Sequence, residues 1–329
     1  MRNKNPIALA AVLIVLVLIV ILLGRNAGRG PAPEVGEVYL FPGLDTASVD
    51  RIAIRAGENR AEMTRGEGGE WLVSTEEDFP ADPEAVSRLL EAAAELSAAS
   101  LTSRRPSKHE IFEVDSAKGV EVVLESGGAA AARFFLGKSG PDFSSNYVRA
   151  AGDEEVYLHP QSIRALFDRG NRTWRDKQIF DFDRENLARL RIERGEESLL
   201  FENRGDEGWA VLEPDGYRPQ GPLVEGLARG FTRLTASDFG AEEERAAAGL
   251  EDPRALVTLT FTDGSEKTLA VGAEKEGGGG VFVERNGDGV LFLVPSSRVA
   301  AIFRQTDELI EPIPADTPAA AESAPVEGE

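Results

Sequence analysis

Four groups of residues in this chain have types and spacings that could do chemistry. Gly137-Lys138-Ser139 ends like a phosphate-binding loop, in which backbone amides cradle phosphate oxygens and a lysine neutralises them. The position five residues before Gly137 is Ala132, not glycine, and Arg133-Phe134-Phe135-Leu136 between them reads as a strand. Strand amides are committed to neighbouring strands, so the triplet reads as a turn after a strand. Gly277 to Gly280 has no lysine and no following helix, and reads as a flexible hairpin loop. His109 and His159 are the only histidines. Zinc needs further ligands at suitable spacing, and a serine triad of this kind needs a Gly-x-Ser-x-Gly elbow; neither pattern is present. Asp181 and Asp183 flank Phe182, and alternation on an extended segment puts both carboxylates on one face. They could hold a cation or act as an acid/base pair, but with Phe180 and Phe182 packed inward they read as a solvated face. Glu242-Glu243-Glu244 reads as a solvated acidic turn.

Bulk composition narrows the function classes further. The chain has 329 residues, 42% hydrophobic and 28% charged, which is a globular composition with room for about two domains. Its net charge is -21, from 57 acidic and 36 basic residues. Such a body repels phosphate backbones, so nucleic acid is not an expected partner. There is no cysteine, which excludes disulfides, thiolate metal sites and cysteine nucleophiles. No cofactor and no enzymatic activity are expected.

Any site must be positioned by elements that occur twice. Trp71-Leu72-Val73 returns as Trp209-Ala210-Val211, and Arg51-Ile52-Ala53-Ile54 returns as Arg189-Leu190-Arg191-Ile192. Val156-Tyr157-Leu158-His159-Pro160 returns as Leu291-Phe292-Leu293-Val294-Pro295. Repetition on this scale marks a duplicated folding unit, with Trp71 and Trp209 as matching core residues. Val294 stands where His159 does, so the fold manages without that imidazole. Asp82-Pro83-Glu84 supplies an N-cap, a first-turn proline and an acid, and Val86, Leu89, Leu90 and Ala93 follow at helical spacing. Val224, Leu227 and Phe231 repeat that stripe. Strand-like runs such as Val120 to Leu124 and Arg133 to Leu136, and the turns Thr262 to Ser265 and Arg285 to Gly289, predict antiparallel hairpins. The expected fold is α+β: two tandem homologous repeats, each a mainly antiparallel sheet with one longer and one short helix, after an N-terminal transmembrane helix.

The expected division is an anchor at 1–27, a linker and lead-in at 28–47, repeat one at 48–169, a connector at 170–185, repeat two at 186–305 and a disordered acidic Ala/Pro tail at 306–329. Arg2 and Lys4 precede an apolar run from Ile7 to Leu23, which as a helix would span ~26 Å. The flanking bases favour a cytoplasmic N-terminus, and the absence of a small-x-small site favours an uncleaved anchor. The bulk of the chain is then expected in the periplasm or outside the cell, held by the inner membrane. The connector interleaves bases with aromatics. Arg172, Trp174, Arg175, Lys177, Phe180, Asp181, Phe182 and Asp183 are candidates either for a contact surface or for sealing the seam between two cores.

Trp174 to Asp183 between two such repeats, the Gly249-Leu250-Glu251-Asp252-Pro253-Arg254 stretch and the Asp263-Gly264-Ser265 hairpin resemble the bacterial family known as domain of unknown function 4340. The resemblance implies an accessory membrane protein beside ABC-type transport components of the gliding-motility or exopolysaccharide-export kind. It carries no catalytic residues. A glycan- or peptide-binding module using a groove between the repeats, with Trp174 as a stacking platform, is the alternative. A hydrolase using paired carboxylates is a third reading.

Overall fold

The computed structural model describes residues 38–74 and 78–314, and the expected anchor and the last fifteen residues of the expected tail lie outside them. The chain divides into two units, the first ending at Arg175 and the second beginning at Asp176. Among the described residues no helix is long and apolar enough to cross a membrane.

In the first unit, alternation of the Ile52/Ile54 kind buries every second side chain of Arg51–Ala56 (β1). Asn59–Arg65 (β2), Trp71–Val73 (β3), Phe79–Pro80 (β4), Leu101–Ser103 (β5), Val120–Ser126 (β6), Ala129–Ser139 (β7), Asn146–Ala150 (β8) and Val156–His159 (β9) complete one sheet of order β4-β3-β2-β1-β6-β7-β8-β9-β5. Its pairings are antiparallel, with Ile52 opposite Met63 on one side and Leu124 on the other. The helix Pro83–Ala94 (α1) starts where Asp82 accepts from the Ala85 amide at 3.0 Å. It buries Val86, Leu89, Leu90 and Ala93, and these join Ile52, Leu124, Phe134 and Trp71 in one core.

The second unit repeats this plan. Gln178–Asp181 (β10), Leu187–Arg194 (β11), Glu197–Asn203 (β12), Trp209–Glu213 (β13), Tyr217–Pro219 (β14), Arg233–Thr235 (β15), Asp238–Phe239 (β16), Ala255–Phe261 (β17), Glu266–Glu274 (β18), Val281–Arg285 (β19), Phe292–Val294 (β20) and Ile310–Pro312 (β21) are its strands. The main sheet runs β13-β12-β11-β17-β18-β19-β20-β16, which matches the first sheet strand for strand without its β4. The helix Gly221–Thr232 (α2) replaces α1 and buries Val224, Leu227, Ala228 and Phe231. Phe231 fills the place of Ala93, so the apolar stripe is kept while its volume grows. The fold is α+β and mostly antiparallel.

Three expectations change. First, the segment read as a unique connector is made of repeat elements. Trp174 lies near the end of unit one as Leu309 lies near the end of unit two: the Trp174 carbonyl accepts from the Asp82 amide at 2.8 Å, and the Leu309 carbonyl accepts from the Gln220 amide at 2.8 Å. Asp82 and Gln220 are the matching positions just before the two helices. Arg175 bridges Ala81 as Ile310 bridges Pro219. Second, the lead-in belongs to the first unit. The Leu40 amide donates to Leu96 and Tyr39 bridges Ser97, just as β10 pairs with β15. Third, the tail does not begin at residue 306. Leu309 and Ile310 are buried, and their burial holds β21 against β14 as far as Pro312.

Candidate functional site

The residues with chemical potential are tied into the fold. Gly137 and its counterpart Gly272 sit in strands where an added Cβ would lie 2.1 Å from the Phe112 carbonyl oxygen and 2.0 Å from that of Ala248. Close backbone approach explains both glycines, and Gly137-Lys138-Ser139 is the end of β7. His159 is buried and its Nδ1 accepts from the Ser97 amide at 3.1 Å, while His109 Nε2 meets the Glu154 carbonyl at 2.9 Å. Burial holds His159 below the usual imidazole range. Among the described residues no three His, Cys, Asp or Glu side chains gather as a metal site.

The candidate seam residues divide between the units. Trp174 is wholly buried in the first core, with the Arg169 guanidinium 5.6 Å from its ring centroid. Arg172 is exposed and half-buried Arg175 lies over Phe79 at 5.1 Å, both in the first unit. In the second unit, the Lys177 ammonium donates to the Ser237 carbonyl at 2.8 Å and Phe180 is buried. Asp181 is exposed, 3.9 Å from Arg233. Trp71 and Trp209 are buried in their respective units. Trp209 Nε1 donates to Glu225 at 3.0 Å, and Arg184 and Arg229 pair with the same carboxylate. Burial works against the charged Glu225, but the Trp209 and Arg229 hydrogen bonds and Arg184 outweigh it, and its pKa falls below the ordinary range.

Phe182 and Asp183 fall at a groove of ≈ 510 Å³ in the second unit, together with Asn186, Phe261, Asp263 and Lys267. Phe182 is half-buried, not packed fully inward, and meets Phe261 edge-on at 4.9 Å. The Lys267 ammonium lies 5.6 Å from the Phe261 centroid and 6.0 Å from those of Phe180 and Phe182. Asp263 accepts from the Ser265 hydroxyl at 2.6 Å and its amide at 2.9 Å, which holds its carboxyl below the usual range. Rings, carboxylates and an amide on one wall suit a polar ligand with an apolar face.

A second groove, of ≈ 490 Å³, lies in the first unit, at residues that form no motif. Its wall is β5, the terminal strand of the sheet, with Arg104, Arg105, Lys108, Ile111 and Phe112 beside it. The two copies differ here in charge. After β5 the chain carries Arg104, Arg105 and Lys108; after the matching strand β16 it carries Glu242, Glu243 and Glu244. The fold tolerates either sign, so it does not dictate the charge.

The architecture is that of a duplicated, mostly antiparallel α+β protein. The family model described as Domain of unknown function (DUF4340) matches residues 71–253 and again 209–319, and the chain belongs to that family. Comparison with curated proteins and with solved structures finds no match.

Proposed function

We propose that this chain is a membrane-anchored, extracytoplasmic accessory or scaffold protein that binds partners and performs no catalysis. Its expected setting is an ABC-type transport system of the gliding-motility or exopolysaccharide-export kind, which rests on the family resemblance. The observation that carries the reading is the divergence of two copies of one fold. Unit one has a basic groove at its sheet edge, and unit two has an aromatic and carboxylate groove elsewhere. Leu44 occupies the place of Phe182, and the sheet register puts Ser126 and Ala132 where unit two has Phe261 and Lys267. Duplication followed by divergence of surface residues, with the core kept, yields one scaffold with two different binding faces.

The test is photo-crosslinking in native membranes, with a photoreactive residue placed at Ile111 or at Phe182 of the full chain. The expected result is an adduct with a subunit of a membrane transport complex from at least one position. Recovery of the uncrosslinked chain alone from both positions overturns the reading.

A second reading has its own observation. The Phe182, Phe261 and Lys267 wall beside Asp183 and Asp263 has the composition of a glycan- or peptide-binding groove. It lies within unit two, and Trp174 is buried away from solvent in unit one, so a stacking role passes to Phe182. Titration with oligosaccharides while following Phe182→Trp emission decides it; an unchanged spectrum for every glycan removes the glycan form of this reading.

A further inference from the structure

We infer that the outer edge of β5 is a docking site for an extended, acidic segment of a partner protein, which adds as a strand to the first sheet. The inference rests on the proposed partner-binding role and names its chemistry.

Leu101–Ser103 pairs with β9 on one side only. The sheet ends there, and among the described residues no strand lies on its outer side. A free edge offers a row of backbone donors and acceptors to any extended chain, and folded proteins usually blunt or cover such edges. Here the edge is flanked by apolar surface. Leu101 is 38% exposed and Ile111 50% exposed, and both line the groove with Phe112.

Charge selects the occupant. In a chain of net charge -21, Arg104, Arg105 and Lys108 stand together beside this edge. The nearest carboxylate to Arg104 is Glu155, at a long 3.9 Å. Among the described residues neither Arg105 nor Lys108 has an ion-pair partner. The acids at the matching edge of unit two are engaged differently. Glu242 pairs with Arg245 at 2.8 Å, and Glu244 pairs with Lys275 at 2.8 Å and accepts from the Ala241 amide. Glu243 is exposed and has no ion-pair partner among the described residues, so the two edges differ chiefly in sign: basic in unit one, acidic in unit two. An anionic lipid surface shares the charge preference but makes no use of a strand edge, and the acidic body would repel it. An extended peptide alternating acidic and apolar side chains uses the edge, the bases and the apolar wall at once.

The test uses the full chain in nanodiscs of zwitterionic lipid and a fluorescein-labelled peptide of three Val-Glu repeats, read by anisotropy. Saturable binding is expected, weakened roughly tenfold or more by R104E/R105E, since reversing rim charges converts attraction into repulsion. Both side chains are exposed, so the thermal transition of the variant is expected to match that of the parent. The same peptide with alternate backbone amides N-methylated is expected not to bind, because strand addition needs those donors. Equal binding of the methylated peptide reduces the site to simple charge attraction and overturns strand addition. Unchanged binding by R104E/R105E places the peptide elsewhere. Binding of phosphatidylglycerol vesicles without binding of the peptide makes the patch a lipid surface. A partner that crosslinks only at Phe182 keeps the scaffold role and refutes this site.

Discussion

Trp174→Ala separates a structural role from a contact role for the most conspicuous aromatic of the expected connector. Trp174 is 0% exposed and packs in the first core with the Arg169 guanidinium 5.6 Å from its ring. Its indole Nε1 has no acceptor among the described residues, so truncation forfeits packing and no hydrogen bond at that atom. The carbonyl that accepts from Asp82 survives because it is backbone. Truncating a buried tryptophan costs about 3–5 kcal/mol through lost burial and the cavity left behind. With a urea m-value of about 2 kcal/mol/M for a domain of this size, the midpoint of unit one falls by roughly 1.5–2.5 M. The chain has three tryptophans, so the variant retains Trp71 in unit one and Trp209 in unit two as separate reporters. The Trp71 emission transition is expected to move to lower urea, or to be complete before urea is added, while the Trp209 transition stays in place. An unmoved Trp71 transition together with lost partner capture refutes the core role and makes Trp174 a contact residue.

Other perturbations probe the rest of the molecule. Gly272→Ala is expected to destabilise unit two by about 1–3 kcal/mol in urea titration, because the new Cβ lies 2.0 Å from the Ala248 oxygen and one backbone must move. His159 has a depressed folded pKa, so the unfolded chain takes up its proton at higher pH; stability of unit one is expected to hold above the ordinary value of 6.5 and to fall as pH drops below it. His159→Val removes that slope in thermal melts between pH 7 and 5, and a persisting slope assigns it to another group. The depressed Glu225 carboxyl contributes stability above its ordinary value of 4.5 that is lost as pH falls through the folded value. Glu225→Gln is expected to cost about 1 kcal/mol at pH 7, after discounting for its partial exposure, and to flatten the acid limb of unit two.

Much of the fold is legible in residue patterns. Alternation at Ile52/Ile54, the apolar run Val120 to Leu124, the Asp82-Pro83 start signal and the Asp263-Gly264 turn each dictate local structure with short-range physics. The strands that escaped are short and held by distant partners. Leu101-Thr102-Ser103 has no alternating burial, and Gln178–Asp181 and Ile310–Pro312 exist because Arg233–Thr235 and Tyr217–Pro219 lie beside them. Trp174 stood out because the connector interleaves bases with aromatics, and nothing in that local pattern ties it to Leu309 of the second copy. Only the paired hydrogen bonds to Asp82 and Gln220 reveal the equivalence. The basic edge has no motif. Its signal was present in the sequence as Arg104 and Arg105 standing 138 residues before Glu242 and Glu243, but it acquires meaning only once β5 and β16 are known to end matching sheets.

Two copies of one fold are proposed to carry different binding faces, with the partner edge in unit one. The most direct measurement places a photocrosslinker at Lys108 in one full-length chain and at Glu243 in another, in native membranes, and maps the crosslinked segment by mass spectrometry. An adduct from Lys108 to an acidic, extended segment of a transport-complex subunit is expected, and none from Glu243. Equal adducts from both positions, or an adduct from Glu243 alone, would contradict that proposal.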